Sequence, residues 1–212
     1  MVLRTLKLSD VWKYRHTIPS VVDQREIMEI CGECARHPTS CFMKILAEVL
    51  EIEDCTVLDL TYGVGEFYRF WRSRYLVAFD VKKWDWVVAP NEFYEKPFWH
   101  AEQILKDRRF DVVVFDPPYD VHNVVSTRPY LYYGVENLGV MLQYFPKIAK
   151  KYATKYIIAK FMDGRKFTVF DLVNMFGRKP TYVIVYRFLA GRRPRLNIKI
   201  LKTHVYYLIW KL

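Results

Sequence analysis

Asp116-Pro117-Pro118-Tyr119 brings together three groups with separate chemistry. The Asp116 carboxylate and the Pro117 carbonyl are hydrogen-bond acceptors, the carbonyl held by two fixed proline φ angles. The Tyr119 ring can stack on a planar group. The tetrapeptide follows an apolar run, Phe110 to Phe115, that reads as a buried strand. Neither proline can donate a ladder hydrogen bond, so the strand ends there. Acceptors and ring therefore stand at the carboxyl end of a strand, where open α/β sheets bind ligands.

Two other stretches carry ligand-binding types. A strand over Cys55 to Leu60 runs into Asp59-Leu60-Thr61-Tyr62-Gly63-Val64-Gly65. Its glycines allow a tight turn and a close approach to a ligand. A helix from Glu66 to about Arg74 is expected to follow, its N-terminus aimed at the same place. A second strand, Tyr75 to Phe79, ends in Asp80, an acid placed to accept from both ribose hydroxyls. Tyr68 stands where a nicotinamide-binding turn would have its third glycine, which argues against a dehydrogenase. Cys31, Cys34, His37 and Cys41 form a zinc-capable set. The short spacing between Cys34 and His37 favours reduced thiols or a disulfide over zinc.

The tetrapeptide resembles motif IV of the S-adenosylmethionine-dependent amino-methyltransferases that act on nucleic-acid bases. The glycine turn is similar to motif I of class I methyltransferases, and His37-Pro38-Thr39 is similar to motif X. The resemblance runs from about His37 to Leu212. It implies S-adenosyl-L-methionine as cofactor, bound by Pro38, Thr39, Asp59, Thr61, Tyr62, Gly63, Gly65 and Asp80, with no metal. It also explains the tetrapeptide. An exocyclic amine is a poor nucleophile because its lone pair is delocalised into the ring. Asp116 and the Pro117 carbonyl, stiffened by Pro118, would accept from its N–H groups and localise that pair. Tyr119 would stack on the base once it has left its helix.

The DPPY form suits adenine N6, since cytosine-N4 enzymes more often carry Ser in the Asp position. DNA is the favoured substrate. An RNA methyltransferase acting on adenine N6 or guanine N2 is the alternative, because no separate target-recognition domain follows the last motif. A non-catalytic methyltransferase-fold binding subunit is the reading from another class. The intact Asp59, Gly63, Gly65, Asp80 and Asp116 argue against it.

The elements that must position these residues alternate strand and helix. They predict an α/β fold with a Rossmann-like, doubly wound, seven-stranded sheet, mostly parallel with an antiparallel C-terminal strand. The resemblance implies strand order 3-2-1-4-5-7-6. Residues 1–36 read as an N-terminal arm and helix, and 37–212 as the methyltransferase domain. A third strand is expected at Phe98 to Ala101, with His100 or Glu102 near the cofactor's adenine. A helix from Asn137 to Lys151 is expected to be interrupted by Pro146. Arg128 in the long connection after the tetrapeptide, Lys160 at a strand tip, and Arg192 and Arg193 in a basic turn are candidate nucleic-acid contacts.

The formal net charge of +10, with 17% aromatic residues, suits a polyanion with unstacked bases as partner. A homodimer or a partner subunit would help with target recognition. The chain has neither a signal-peptide core nor a membrane-length apolar run, so a cytoplasmic protein is expected.

Overall fold

Short runs of valine, isoleucine and phenylalanine, bounded by turn residues, become strands of one sheet. The computed structural model describes residues 21–31, 36–118, 137–164, 166–187 and 204–212. The strands among them are β1 (Val21–Asp23), β2 (Thr56–Asp59), β3 (Tyr75–Asp80), β4 (Glu92–Glu95), β5 (Phe110–Phe115), β6 (Ala153–Phe161), β7 (Tyr182–Arg187) and β8 (His204–Lys211). The α-helices are α1 (Gln24–Cys31), α2 (Pro38–Val49), α3 (Ala101–Leu105), α4 (Leu138–Tyr152) and α5 (Val169–Phe176). No helix among the described residues is long and apolar enough to cross a membrane.

The strand order is β4-β3-β2-β5-β6-β8-β7-β1. This is the expected order with an eighth strand added, because β1 pairs parallel to β7 at the far edge. β8 runs antiparallel to both β6 and β7, and every other pairing is parallel. Three other expectations are corrected. The third strand is β4, while Phe98–His100 forms a 3-10 turn that leads into α3. Only a 3-10 turn, Glu66–Tyr68, follows the glycine turn in place of a helix reaching Arg74. Pro146 lies inside α4 without ending it. The loss of one backbone bond there is offset by the burial of Phe145, Ile148 and Ala149 around it.

The strands bury both faces. Val57, Ala78, Val112, Val114 and Ile158 pack with α2 residues Phe42 and Leu46 on one side. Leu58, Val77, Val113, Phe115 and Ile157 pack with α4 residues Leu142 and Phe145 on the other. The period of two then decides where the charged residues at the strand ends go. Asp80, Asp59, Asp116 and Lys160 continue the Val57 face at the carboxyl ends of β3, β2, β5 and β6. One side of four adjacent strands thus ends in a row of three carboxylates and one ammonium.

Candidate active site

Asp116 follows β5 and is held through both its backbone and its side chain. Its backbone N–H donates to Thr61 Oγ1 at 2.7 Å. Its Oδ2 accepts from Lys160 Nζ at 2.9 Å. Lys160 was expected to reach nucleic acid from a strand tip. It is instead 6% exposed, paired with Asp116, and its ammonium lies 5.2 Å from the Phe67 ring centroid. The alternation of β6 turns it into the cleft, beside the candidate catalytic carboxylate. Pro117 and Pro118 line the same cleft as Asp116. Tyr119, Arg128, Arg192 and Arg193 lie outside the described residues.

β2 delivers Asp59 and the glycine turn. Asp59 accepts from the Thr61 N–H at 2.9 Å and from the Tyr68 hydroxyl at 2.7 Å. Burial nevertheless pushes its carboxyl up to about 7, with Asp116 and Asp80 adding to the effect. Gly63 and Gly65 adopt left-handed backbone, with φ of 58° and 75°. That conformation aims the Gly63 N–H at Asp80 Oδ2, 2.7 Å away. Burial raises the Asp80 carboxyl as well, against the hydrogen bonds from Gly63 and Lys82. Tyr62 is buried, stacks on Tyr68, and donates to the Val88 carbonyl at 2.6 Å. Of the predicted cofactor residues, Asp59 and Tyr62 are thus chiefly tied to the protein, while Thr61, Gly63 and Asp80 form the turn's inner wall.

The start of α2 closes the third side. Pro38 occupies its first turn and Thr39 lines the cleft. Glu66 ties this helix start to the glycine turn, accepting from Ser40 Oγ at 2.9 Å and from Arg69, with His37 Nδ1 at 2.9 Å. Burial opposes ionisation of Glu66, but the hydrogen bonds from Arg69, Ser40 and His37 outweigh it and lower its pKa. The zinc-capable set is divided. Cys31 and Cys41 form a disulfide between α1 and α2, His37 belongs to the Glu66 cluster, and Cys34 lies outside the described residues.

The cleft encloses about 140 Å³. Thr39, Thr61, Gly63, Asp80, Asp116 and Lys160 face it together, as do several residues not expected from sequence, including Phe67, Lys96, Pro97, Trp99 and Met141. Neither adenine candidate lines it. Glu102 is held by Lys147 and Lys151 on the outer side of α3, and His100 ends the 3-10 turn. The segment Lys96–Trp99 lines the cleft instead, because Pro97 starts the 3-10 turn and buries Phe98 beneath it. The proline was the one sequence signal available for this.

This architecture is the class I methyltransferase fold. The chain aligns with a protein from Streptococcus mutans assigned to the SAM-dependent methyltransferases, with a TM-score of 0.52 and 12% identity over 82% of this chain and 49% of that one. N-methyltransferase NodS from Bradyrhizobium japonicum aligns with a TM-score of 0.51 and 11% identity, over 84% of this chain and 95% of NodS. SMU.776, assigned as a methyltransferase and crystallised with SAH, aligns with a TM-score of 0.51 and 12% identity over 82% of this chain. The chain spans about half the length of SMU.776 and of the first S. mutans protein. At such identities the likeness is one of fold. No protein-family model and no curated protein matches the sequence.

Proposed function

We propose that the chain is an S-adenosylmethionine-dependent methyltransferase acting on the exocyclic amine of a nucleic-acid base, with adenine N6 in DNA as first choice. One observation carries this reading: Asp116 and Pro117 share a cleft with the glycine turn and Asp80. The residues present suit the cofactor. Gly63, with no side chain, leaves the turn bare for a close approach, Asp80 offers acceptors to a ribose, and the carboxylate row suits a sulfonium cation. When bound, the cofactor supplies a methyl carbon that passes to nitrogen while its sulfur keeps the electron pair of the broken bond. Asp116 and the Pro117 carbonyl would accept from the amine, and Asp116 would take the proton that the alkylated nitrogen sheds. The strongly basic charge supports a polyanionic substrate.

The test is tritiated-methyl transfer to DNA and, in parallel, to total RNA, with the labelled nucleoside identified by mass. Label as N6-methyladenine in DNA is expected, and Asp116→Ala should lose it while the protein stays folded. Label confined to RNA would keep the chemistry and replace the substrate. A folded Asp116→Ala protein with near-normal turnover would remove the catalytic assignment. Failure of the wild type to label either polymer, with the cofactor bound, would point to a missing partner or a different acceptor, and failure to bind the cofactor would leave a binding subunit.

A further inference from the structure

We propose that Lys160 is the positioning residue for Asp116, holding the carboxylate in the rotation that meets the acceptor amine. The inference rests on the methyl-transfer reading above and assigns a role that the DPPY tetrapeptide does not contain.

The register explains why Lys160 is there. Phe115 pairs with Ala159 across β5 and β6, so the next residues, Asp116 and Lys160, leave the sheet side by side. Both continue the face on which Val114 and Ile158 are buried. An apolar residue would be the ordinary occupant of that position. An ammonium with 6% exposure loses most of its hydration and persists there only with a good partner. It has Asp116 Oδ2 at 2.9 Å, and the ring face of Phe67 at 5.2 Å supports the cation from the side.

The two anchors on Asp116 act on different parts of it. Thr61 Oγ1 takes its backbone N–H and sets where the residue sits. Lys160 takes Oδ2 and sets how the carboxylate is turned. An aspartate has few rotatable bonds, so fixing the backbone and one oxygen places the whole group. Such prior placement is what a reaction limited by geometry needs. Thr61 belongs to the cofactor turn and Phe67 follows it, so the carboxylate is built onto the wall that would hold the methyl donor. Lys160 touches neither reactant in this scheme and acts through Asp116.

The experiment compares wild type with Lys160→Met, which keeps length and removes the cation, and with Lys160→Arg, which keeps the cation. Cofactor Kd, acceptor KM and kcat are measured separately, with circular dichroism as the check on folding. For Lys160→Met, kcat should fall about 100-fold, with cofactor Kd and acceptor KM within about threefold of wild type. Lys160→Arg keeps the cation in a larger, planar head and should recover part of the loss, to about a tenth of the wild-type kcat. If Lys160→Met does not fold, Lys160→Gln, whose amide can still donate to Asp116, replaces it, with a kcat loss of about tenfold expected. A folded neutral variant with wild-type kcat would overturn the proposal and leave the methyl-transfer reading standing. So would a fall in kcat matched by an equal loss of cofactor binding, which is the mark of a merely structural residue. A wild-type protein that transfers no methyl group would remove both.

Discussion

Gly65 and Gly177 offer a matched pair for testing how the glycine turn is built. Both are left-handed, at φ 75° and 70°. Gly177 caps α5, and a Cβ added there would meet nothing within 4 Å. Gly177→Ala should therefore lose only the left-handed penalty of about 1–2 kcal/mol. A Cβ on Gly65 would lie 2.5 Å from the Tyr62 hydroxyl oxygen and 2.8 Å from the Val88 carbonyl oxygen. Those atoms are the two ends of one hydrogen bond, 2.6 Å long. The methyl group would wedge it open, and a backbone carbonyl gives way less easily than a flexible side-chain end. Leaving the nearly buried tyrosine hydroxyl without its acceptor adds about 1–3 kcal/mol. Gly65→Ala should thus be less stable than Gly177→Ala by about 1–3 kcal/mol. Urea unfolding of both variants reads this as a lower midpoint at an unchanged slope. A cofactor heat shift should survive in Gly177→Ala and vanish in Gly65→Ala. Equal losses of stability would refute the crowding argument, and a normal heat shift in Gly65→Ala would separate the turn from cofactor binding.

Two predictions follow from the raised carboxyls. Asp59 keeps its proton up to about pH 7 in the folded chain, whereas an unfolded aspartate releases it near pH 4, so stability should fall as pH rises through that window by roughly 4 kcal/mol. Asp59→Asn should flatten the slope of unfolding free energy between pH 4 and 7, and an unchanged slope would assign it to other groups. S-adenosylmethionine and S-adenosylhomocysteine differ at the sulfur by one positive charge, so the sulfonium should gain more affinity than the thioether as Asp59 ionises between pH 6 and 8. Calorimetry at both pH values checks this, and parallel gains for the two ligands would separate the carboxylate row from the sulfonium.

The parts of the site carried by long apolar strands were legible in the sequence. β2, β3, β5 and β6 are buried on both faces, so their composition marked them and their ends marked Asp59, Asp80 and Asp116. β4 was missed because an edge strand needs little apolar surface, and Glu92–Glu95 is half exposed with a charge at each end. Phe98 drew attention instead, since a buried phenylalanine in a 3-10 turn looks the same in sequence as one in a strand. The expected helix after Gly65 failed for a related reason. Phe67, Tyr68 and Trp71 are buried while Glu66, Arg69 and Arg72 are polar, and that spacing looks the same in sequence whether a helix or a 3-10 turn carries it. Lys160 is legible as a strand-tip residue, but its partner is not. The alternation from Ile158 carries the direction of Lys160, and the ion pair with Asp116 appears only when β5 and β6 are set in register.

The charge row also bears on why this site needs so large a sheet. Three carboxylates lie at the ends of neighbouring strands, two of them raised by burial, with one ammonium among them. Ionising the two raised carboxyls therefore costs stability, and a cationic ligand would offset that cost. The stability that tolerates this lies elsewhere in the same sheet. Phe176 stacks on Trp210 at 4.0 Å and Phe115 on Phe145 at 4.2 Å, on the face opposite the row. Phe115 immediately precedes Asp116, so the strand that carries this carboxylate is also among the most firmly packed. A tightly held strand end lets Asp116 keep one geometry, which is the requirement that a preorganised acceptor imposes.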